Sequence, residues 1–329
     1  MLLKVTGEKN LSVAFSLYLP RLLFLLPSLL LLPLALLFSW RLSLPALLGS
    51  CFIFLYFAND FRFGSEPHPS PSEPGKTVTV LTYNRGQHMN RSLKPFKDRT
   101  NPDIIAFQEA PNRAAGYLEA EGYELYEFAE DIGEYTLLSR YPITKKSLIH
   151  TVSGDQSVDA CARFEVQFEG SKIAIYSIHI NSPRDVLHYY KRGAFLYGLI
   201  GIPGTALGEK RHKNQQFWND RIDEASELIS HIANDPLPTL VVGDLNAPAG
   251  GHIHQLFLRE FKDSHRTSGS GFGFTFPGTS RNPLSLGGPW MRIDYLFANS
   301  SWDCLWNITE SSRLSQHRAV TAQFRLKSP

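Results

Sequence analysis

Cysteine is scarce, with only Cys51, Cys161 and Cys304 in 329 residues. Three thiols so scattered cannot staple a disulfide framework, and they say little about redox compartment. An excess of one charge is missing too: 33 Lys and Arg stand against 31 Asp and Glu, a net charge of +2. The broad basic face of a nucleic-acid binder is therefore not announced, and any such contact must come from a local patch. No repeat at a fixed period is visible, which argues against a solenoid or propeller. The pattern of a secretory signal, a short apolar core followed by a small-residue cleavage site, does not describe the N-terminal region well.

Long apolar runs are abundant. Leu22 to Trp40 carries no charge between Arg21 and Arg41, and a second run, Leu42 to Ala58, follows at once. At ~1.5 Å per residue the first run is long enough for a hydrocarbon layer of ~30 Å. Pro27, Pro33 and Pro45 would kink such helices, which bilayer helices tolerate when neighbours satisfy the freed backbone groups. The expectation is an N-terminal segment, residues 1–21, then a hairpin of two transmembrane helices within residues 22–59, turning near Ser39 to Ser43. The lipid bilayer is thus an expected partner. Lys4, Lys9 and Arg21 precede the hairpin while Arg41 alone lies in its turn, a bias that leans towards a cytoplasmic C-terminal domain and leaves the membrane side open.

Residues 60–76 are rich in Pro, Ser, Gly and Glu and read as an extended linker. The domain at 77–329 opens with the β-branched run Thr77 to Thr82, and strands are also expected at Ile104 to Phe107, Tyr123 to Phe128, Tyr135 to Ser139, Ala162 to Phe168, Lys172 to Ile178, Thr239 to Val242, Ile293 to Phe297 and Ala319 to Leu326. Phe217, Trp218, Ile222, Ala225, Ile229 and Ile232 recur at helical spacing, and Asp235-Pro236 ends the pattern. Shorter helices are expected near Arg91 to Arg99 and Arg113 to Glu121. Many strands with interspersed helices predict sheets packed face to face and covered by helices.

Polar residues gather where these strands end, the place where a scaffold presents chemistry. Asn84 follows the first strand, and Gln108-Glu109 closes the second. A hard cation such as Mg²⁺ needs only one or two protein carboxylates, so Glu109 alone would suffice to hold one. His179 ends an alternating strand. Gly243-Asp244-Leu245-Asn246 follows an apolar strand; an Asx turn explains Asp244 but does not require Asn246 as well. Asp294 lies inside an otherwise apolar strand, where a lone carboxylate is costly without a partner. His317, just before the last strand, is that partner: a buried carboxylate fixes the tautomer of an imidazole and raises its basicity.

Taken in order, Asn84, Gln108-Glu109, His179, Gly243-Asp244-Leu245-Asn246, Arg292-Ile293-Asp294-Tyr295 and Ser315-Gln316-His317 resemble the motif series of the endonuclease/exonuclease/phosphatase superfamily. The resemblance spans Val78 to Phe324. It implies a four-layer α/β sandwich and hydrolysis of a phosphate mono- or diester dependent on Mg²⁺ or Mn²⁺. By position, Glu109 with Asn84 would hold the metal, and Asp244 would orient or deprotonate the attacking water. His179 would contact or protonate a phosphoryl or leaving-group oxygen, and Asp294 would hold His317 against the transition state. Asn181, Asn246 and Arg163 are the expected substrate-binding residues. One departure stands out: the family usually has aspartate where this chain has Gln316, which favours operation with a single metal and leaves room for a degenerate member that only binds a phosphorylated partner.

The loop Ser268 to Gly278, rich in Gly and Phe, is similar in composition to that of membrane-tethered bacterial members. The expected setting is a bacterial inner or cytoplasmic membrane and a lipid-linked phosphate or diphosphate substrate, with a membrane-tethered nuclease acting on nucleic acid as the alternative. The insertion Asp185 to Lys213, apolar and then basic at Lys210 to Lys213, would suit a lipid surface. No obligate protein partner is implied.

Overall fold

The computed structural model describes residues 5–20, 26–54, 60–63, 76–86, 92–153, 156–183, 206–278, 288–311 and 315–327. Its strands in chain order are β1 (Thr77–Asn84), β2 (Ile104–Gln108), β3 (Phe128–Ile132), β4 (Tyr135–Ser139), β5 (Ile143–Ser153), β6 (Gln156–Phe168), β7 (Ser171–His179), β8 (Thr239–Asp244), β9 (Lys262–Asp263), β10 (Asp294–Ala298), β11 (Trp302–Thr309) and β12 (Val320–Leu326). The helices are α1 (Leu11–Leu17), α2 (Leu26–Ile53), α3 (Lys94–Thr100), α4 (Ala114–Leu118), α5 (Ala206–Ala233), α6 (His252–Glu260) and α7 (Ser264–Ser268).

Two six-stranded sheets form, ordered β11-β12-β1-β2-β4-β3 and β5-β6-β7-β8-β10-β9. β1 pairs parallel with β2, β7 pairs parallel with β8, and the other pairings are antiparallel. The alternation of side chains along each strand assigns residues to layers. Val80, Ile104, Ala106 and Leu137 from one sheet meet Phe164, Ile175, Leu240 and Val242 from the other in the central core. The opposite faces are covered by helices: Tyr176, Val241 and Tyr295 pack on Ala225, Leu228 and Phe257, while Leu81, Ile105 and Phe107 pack on Phe96. This is the helix–sheet–sheet–helix sandwich expected from the sequence. Both parallel pairs end at the same level as the motif residues, since Asn84 is in register with Gln108 and His179 with Asp244.

Two sequence expectations change. The stretch Tyr123 to Phe128 is not a strand; its aromatics instead stack in the loop before β3, with Tyr117, Tyr123 and Tyr126 in ring contact. Aromatic enrichment marks strand and packed loop alike. The hairpin of two transmembrane helices is also not found: among the described residues no single helix is long and apolar enough to cross a membrane. Instead α2 bends by 96° between Ala35–Arg41 and Ser43–Phe52, where Ser39 leaves helical geometry (φ −163°, ψ 90°). Ser43 Oγ bonds back to the Ala35 carbonyl across the bend at 2.9 Å. The legs on either side of Ser39, residues 26–38 and 40–53, are each ~20 Å long at ~1.5 Å per residue.

The N-terminal segment packs into the domain. Leu11, Ala14, Phe15 and Tyr18 are buried with Trp218, Met291 and Ile293. The proposed linker likewise begins inside the fold, because Asp60 is buried and Arg62 bridges to Gly271; residues 64–75 lie outside the described residues. So does the apolar part of the 185–213 insertion, whereas Lys210 to Lys213 fall in the first turns of α5.

Candidate active site

The GDLN turn shows how local sequence builds the site. Gly243 has φ +133°, and a Cβ there would run into the Ile178 carbonyl of the neighbouring strand. Only glycine lets β7 and β8 stay paired to their last residue. Asp244 is fully buried; its Oδ1 accepts from the Asn246 backbone N–H at 2.7 Å, an Asx turn. That turn holds Asn246 at φ +47°, and the Asn246 amide donates to the Ile180 carbonyl at 3.0 Å. The other Asp244 oxygen accepts from Asn84 Nδ2 at 3.0 Å, across the sandwich from β1.

Two imidazoles flank Asp244, each held by its own carboxylate. His317 Nδ1 lies 3.1 Å from Asp294 Oδ2 and 3.8 Å from Asp244 Oδ2. His179 Nδ1 lies 2.6 Å from Glu134 Oε1, and its Nε2 is 3.9 Å from Asp244 Oδ2 and 4.0 Å from Glu109 Oε1. Asn84 Nδ2 approaches the same Nε2 at 3.5 Å. Gln108 does not enter the cluster but ties the sheets beneath it, donating to Ser177 Oγ at 2.8 Å. Glu109, with φ +51°, turns out of β2 into the cluster.

The electrostatics follow from burial and pairing. Burial works against a charged His179, but Glu134 outweighs it, with Asp244 and Glu109 adding to the effect, and the imidazole is raised to about 9. His317 is raised in the same sense: burial opposes the charge, and Asp294 and Asp244 overcome it. Burial, then the neighbouring Asp294, lifts the Asp244 carboxyl to about 6, against the pull of both histidines. A carboxylate brought nearer to neutral is a better proton acceptor, and two imidazoles pushed towards the charged form can meet phosphoryl oxygens.

Of the sequence-selected residues, Asn84, Glu109, His179, Asp244, Asn246, Asp294 and His317 converge. Arg163 does not. It lies on the helix-covered face of β6, its Nε bonded to Asp235 at 2.7 Å and its guanidinium over Tyr176, so its charge is spent in a structural ion pair. The strand period explains this: Arg163 is in register with Tyr176, on the opposite face from Ser177. Asn181 sits exposed two residues beyond His179, at the rim. Gln316 stands over Gly86, where its amide oxygen would meet any added Cβ.

Sequence reasoning missed Glu134, an acid behind Gly133 at the start of β4 with no motif to mark it. Thr275 was also missed; its hydroxyl accepts from the Ile293 and Asp294 backbone N–H groups, both at 3.2 Å.

The donors present suit a hard divalent cation. Ligand atoms of Asp244, Asp294 and His317 all lie within 4.8 Å of one another. Glu109 faces the same space, and carboxylate oxygens are donors that Mg²⁺ takes; Asn84, expected as a second ligand, turns its Nδ2 to the cluster while its Oδ1 accepts from the Gly86 N–H at 2.8 Å, so it holds Asp244 rather than a cation. Two buried carboxylates side by side are repulsive without added positive charge.

A family model for the endonuclease/exonuclease/phosphatase family matches residues 86–317. The chain belongs to that family, whose members are generally divalent-metal-dependent hydrolases of phosphoester bonds. Among solved structures it is similar to a family protein from Bacteroides thetaiotaomicron, at 16% identity over 78% of this chain and 97% of that one (TM-score 0.54). It is also similar to one from Bacteroides vulgatus, at 16% identity over 76% and 99% (TM-score 0.52), and to humanized D. rerio TDP2, at 14% identity over 76% and 99% (TM-score 0.50). At such identities these likenesses speak to the fold. No curated protein matches the chain significantly.

Proposed function

We propose that the chain is a Mg²⁺- or Mn²⁺-dependent hydrolase of a phosphate mono- or diester, acting on a lipid-linked substrate at a membrane surface. The observation that carries the hydrolase reading is the pair of carboxylate-held imidazoles converging on Asp244, at 3.8 and 3.9 Å. Asp244 takes the proton of an attacking water held near Asn246. His179 donates to a phosphoryl or leaving-group oxygen, and His317, fixed through Nδ1 by Asp294, faces developing charge with its other nitrogen. Glu109, with Asp244 alongside, would hold the divalent ion, which would neutralise charge as phosphorus–oxygen bonds rearrange, and Asn84 orients Asp244.

Support for the lipid surface comes from α2. Leu37 and Phe38 are 83% and 89% exposed, and Leu30, Trp40, Leu48 and Phe52 are exposed as well. A chain section so apolar on all sides calls for a non-aqueous environment. Its short bent legs fit insertion from one face better than two full crossings. Because residues before and after α2 dock on the same domain, the section enters and leaves on one side.

The test uses the full chain in detergent micelles and in vesicles with Mg²⁺ or Mn²⁺, against lipid phosphates and diphosphates, phospholipids, soluble phosphodiesters and supercoiled DNA, beside His317→Ala. Metal-dependent turnover of a lipid phosphoester, lost in the variant, is expected. Turnover of DNA alone would select the nuclease instead. Metal-independent silence on every substrate would overturn the enzyme.

A further inference from the structure

The catalytic turn is gripped from behind by residues that precede the apolar section. Tyr18 donates its hydroxyl to the Asn246 carbonyl at 2.8 Å. Arg221, fully buried on α5, donates to the carbonyls of Leu245 (3.2 Å) and Asn246 (3.0 Å) and to the Tyr18 oxygen (3.1 Å). Both side chains rest on Trp218, the Tyr18 ring at 5.6 Å and the guanidinium at 5.3 Å. Glu8, also fully buried, faces Arg221 and caps α6, accepting from the His252 and Ile253 backbone N–H groups.

A second grip lies just past the apolar section. Asp60 pairs with Arg292 at 2.6 Å, and Arg292 also binds Asp263 at 2.8 Å. Arg292 is two residues ahead of Asp294.

We infer that residues 5–20 and 60–63 are working parts of the active site: Tyr18 and Arg221 are positioning residues for Asp244 and Asn246, and Asp60 is one for Asp294 through Arg292. The physical case is one of over-determination. Asn246 holds a left-handed backbone conformation that an L side chain rarely adopts, and such a conformation persists only where its surroundings fix it. Its N–H and side-chain amide are bonded within the site, to Asp244 and Ile180, so its carbonyl is the one remaining handle on the peptide plane. Three donors from Tyr18 and Arg221 hold that carbonyl and the one before it. Arg221 thus sits between the turn, whose carbonyls accept from it, and the N-terminal segment, whose Glu8 faces its charge and whose Tyr18 hydroxyl it meets. A domain cut to begin at residue 76 would lack Glu8, Tyr18 and Asp60 and would leave Arg221 and Arg292 short of partners.

This inference adds positioning residues to the proposed hydrolase, and the experiment separates the two. In the full chain, Tyr18→Phe keeps the ring on Trp218 and removes only the hydroxyl. Hydrogen exchange is followed at the Leu245 and Asn246 amides, which donate to the Ile293 carbonyl and to Asp244. Faster exchange there, by about 10-fold, is expected with the unfolding midpoint unchanged. On whichever phosphoester the wild type turns over, kcat should fall by about 10-fold at constant KM, since a slight misplacement of a catalytic group costs rate. Arg221→Lys, which keeps the charge but cannot reach three acceptors, should fall further. Tyr126→Phe, which removes a buried hydroxyl bonded to the Pro102 carbonyl at 2.8 Å, outside the site and the N-terminal segment, should lower the midpoint and leave kcat of the folded enzyme alone. Unchanged exchange and kcat in Tyr18→Phe would overturn the inference. If the wild type hydrolyses nothing, the hydrolase reading fails and the exchange result alone decides this one.

Discussion

Replacing Glu134 by Gln keeps a hydrogen-bonding group against His179 Nδ1 and removes its charge. The imidazole titrates at about 9 in the folded chain against ~6.5 when unfolded. That gap corresponds to about 3 kcal/mol at ~1.4 kcal/mol per unit. Glu134 is the largest favourable contributor, but its side chain is 36% exposed, and screening by solvent reduces its share to about 1–2 kcal/mol. The sign follows from a raised imidazole: the stabilisation is complete below pH ~6.5, fades as pH rises through about 9 and is then gone. Glu134→Gln should therefore lower the unfolding free energy by about 1–2 kcal/mol at pH 6 and hardly at all at pH 10. Urea unfolding of the full chain in detergent, with a chelator present, measures this, and the His179 proton resonances give the titration directly. The variant's kcat should fall by about 10²-fold, the effect of losing a correctly charged acid. An equal loss of stability at both pH values, or a wild-type His179 that titrates at or below 6.5, would refute the reasoning.

Other perturbations probe the rest of the site. Asp294→Asn can present its amide to His317 Nδ1 and favour the wrong tautomer; kcat should drop by about 10³-fold with the unfolding midpoint nearly unchanged, by steady-state kinetics beside thermal melts. Gly243→Ala forces a Cβ against the Ile178 carbonyl at a φ that alanine resists, and should cost more than about 3 kcal/mol or abolish soluble expression. Glu224 is buried on α5, with the Asn181 backbone N–H near its carboxylate. Burial raises it to about 7 despite Arg221 and His179 nearby. Such an acid supports the fold below pH ~4.5 and loses that support as pH climbs to about 7, so Glu224→Gln should stabilise the protein at pH 8, by about 1–3 kcal/mol in urea titrations, and leave it unchanged at pH 4.

The parts of this site that were readable in the sequence are those where a strand's apolar pattern breaks at its last residue. Asp244 after Leu240 to Val242, His179 after Ile178, and Asp294 before Tyr295 each interrupt a periodicity, and an interruption is a signal. Glu134 interrupts nothing, because it sits in a turn where acids are common. Arg163 misled for the opposite reason: as a cation in an apolar strand it resembled the others, and only the register with Tyr176 reveals which face it occupies. β5 and β11 were overlooked because Lys145, Lys146 and His150, and Asp303 and Asn307, dilute their alternation, as edge strands and their bulges allow. Nothing local marks Glu8, Tyr18 or Asp60 as interior, since their partners lie more than two hundred positions away.

That distance has a consequence for biosynthesis. The contacts Glu8 to His252, Tyr18 to Asn246 and Asp60 to Arg292 close loops of 244, 228 and 232 residues. Contacts of such separation form late, because loop-closure entropy must be met before they contribute. The N-terminal segment leaves the ribosome first and finds its seat last, when nearly the whole chain has been made. During that interval the turn bearing Asp244 and Asn246 lacks the groups that fix it. Assembly order alone thus delays a competent site until nearly the whole chain has been made.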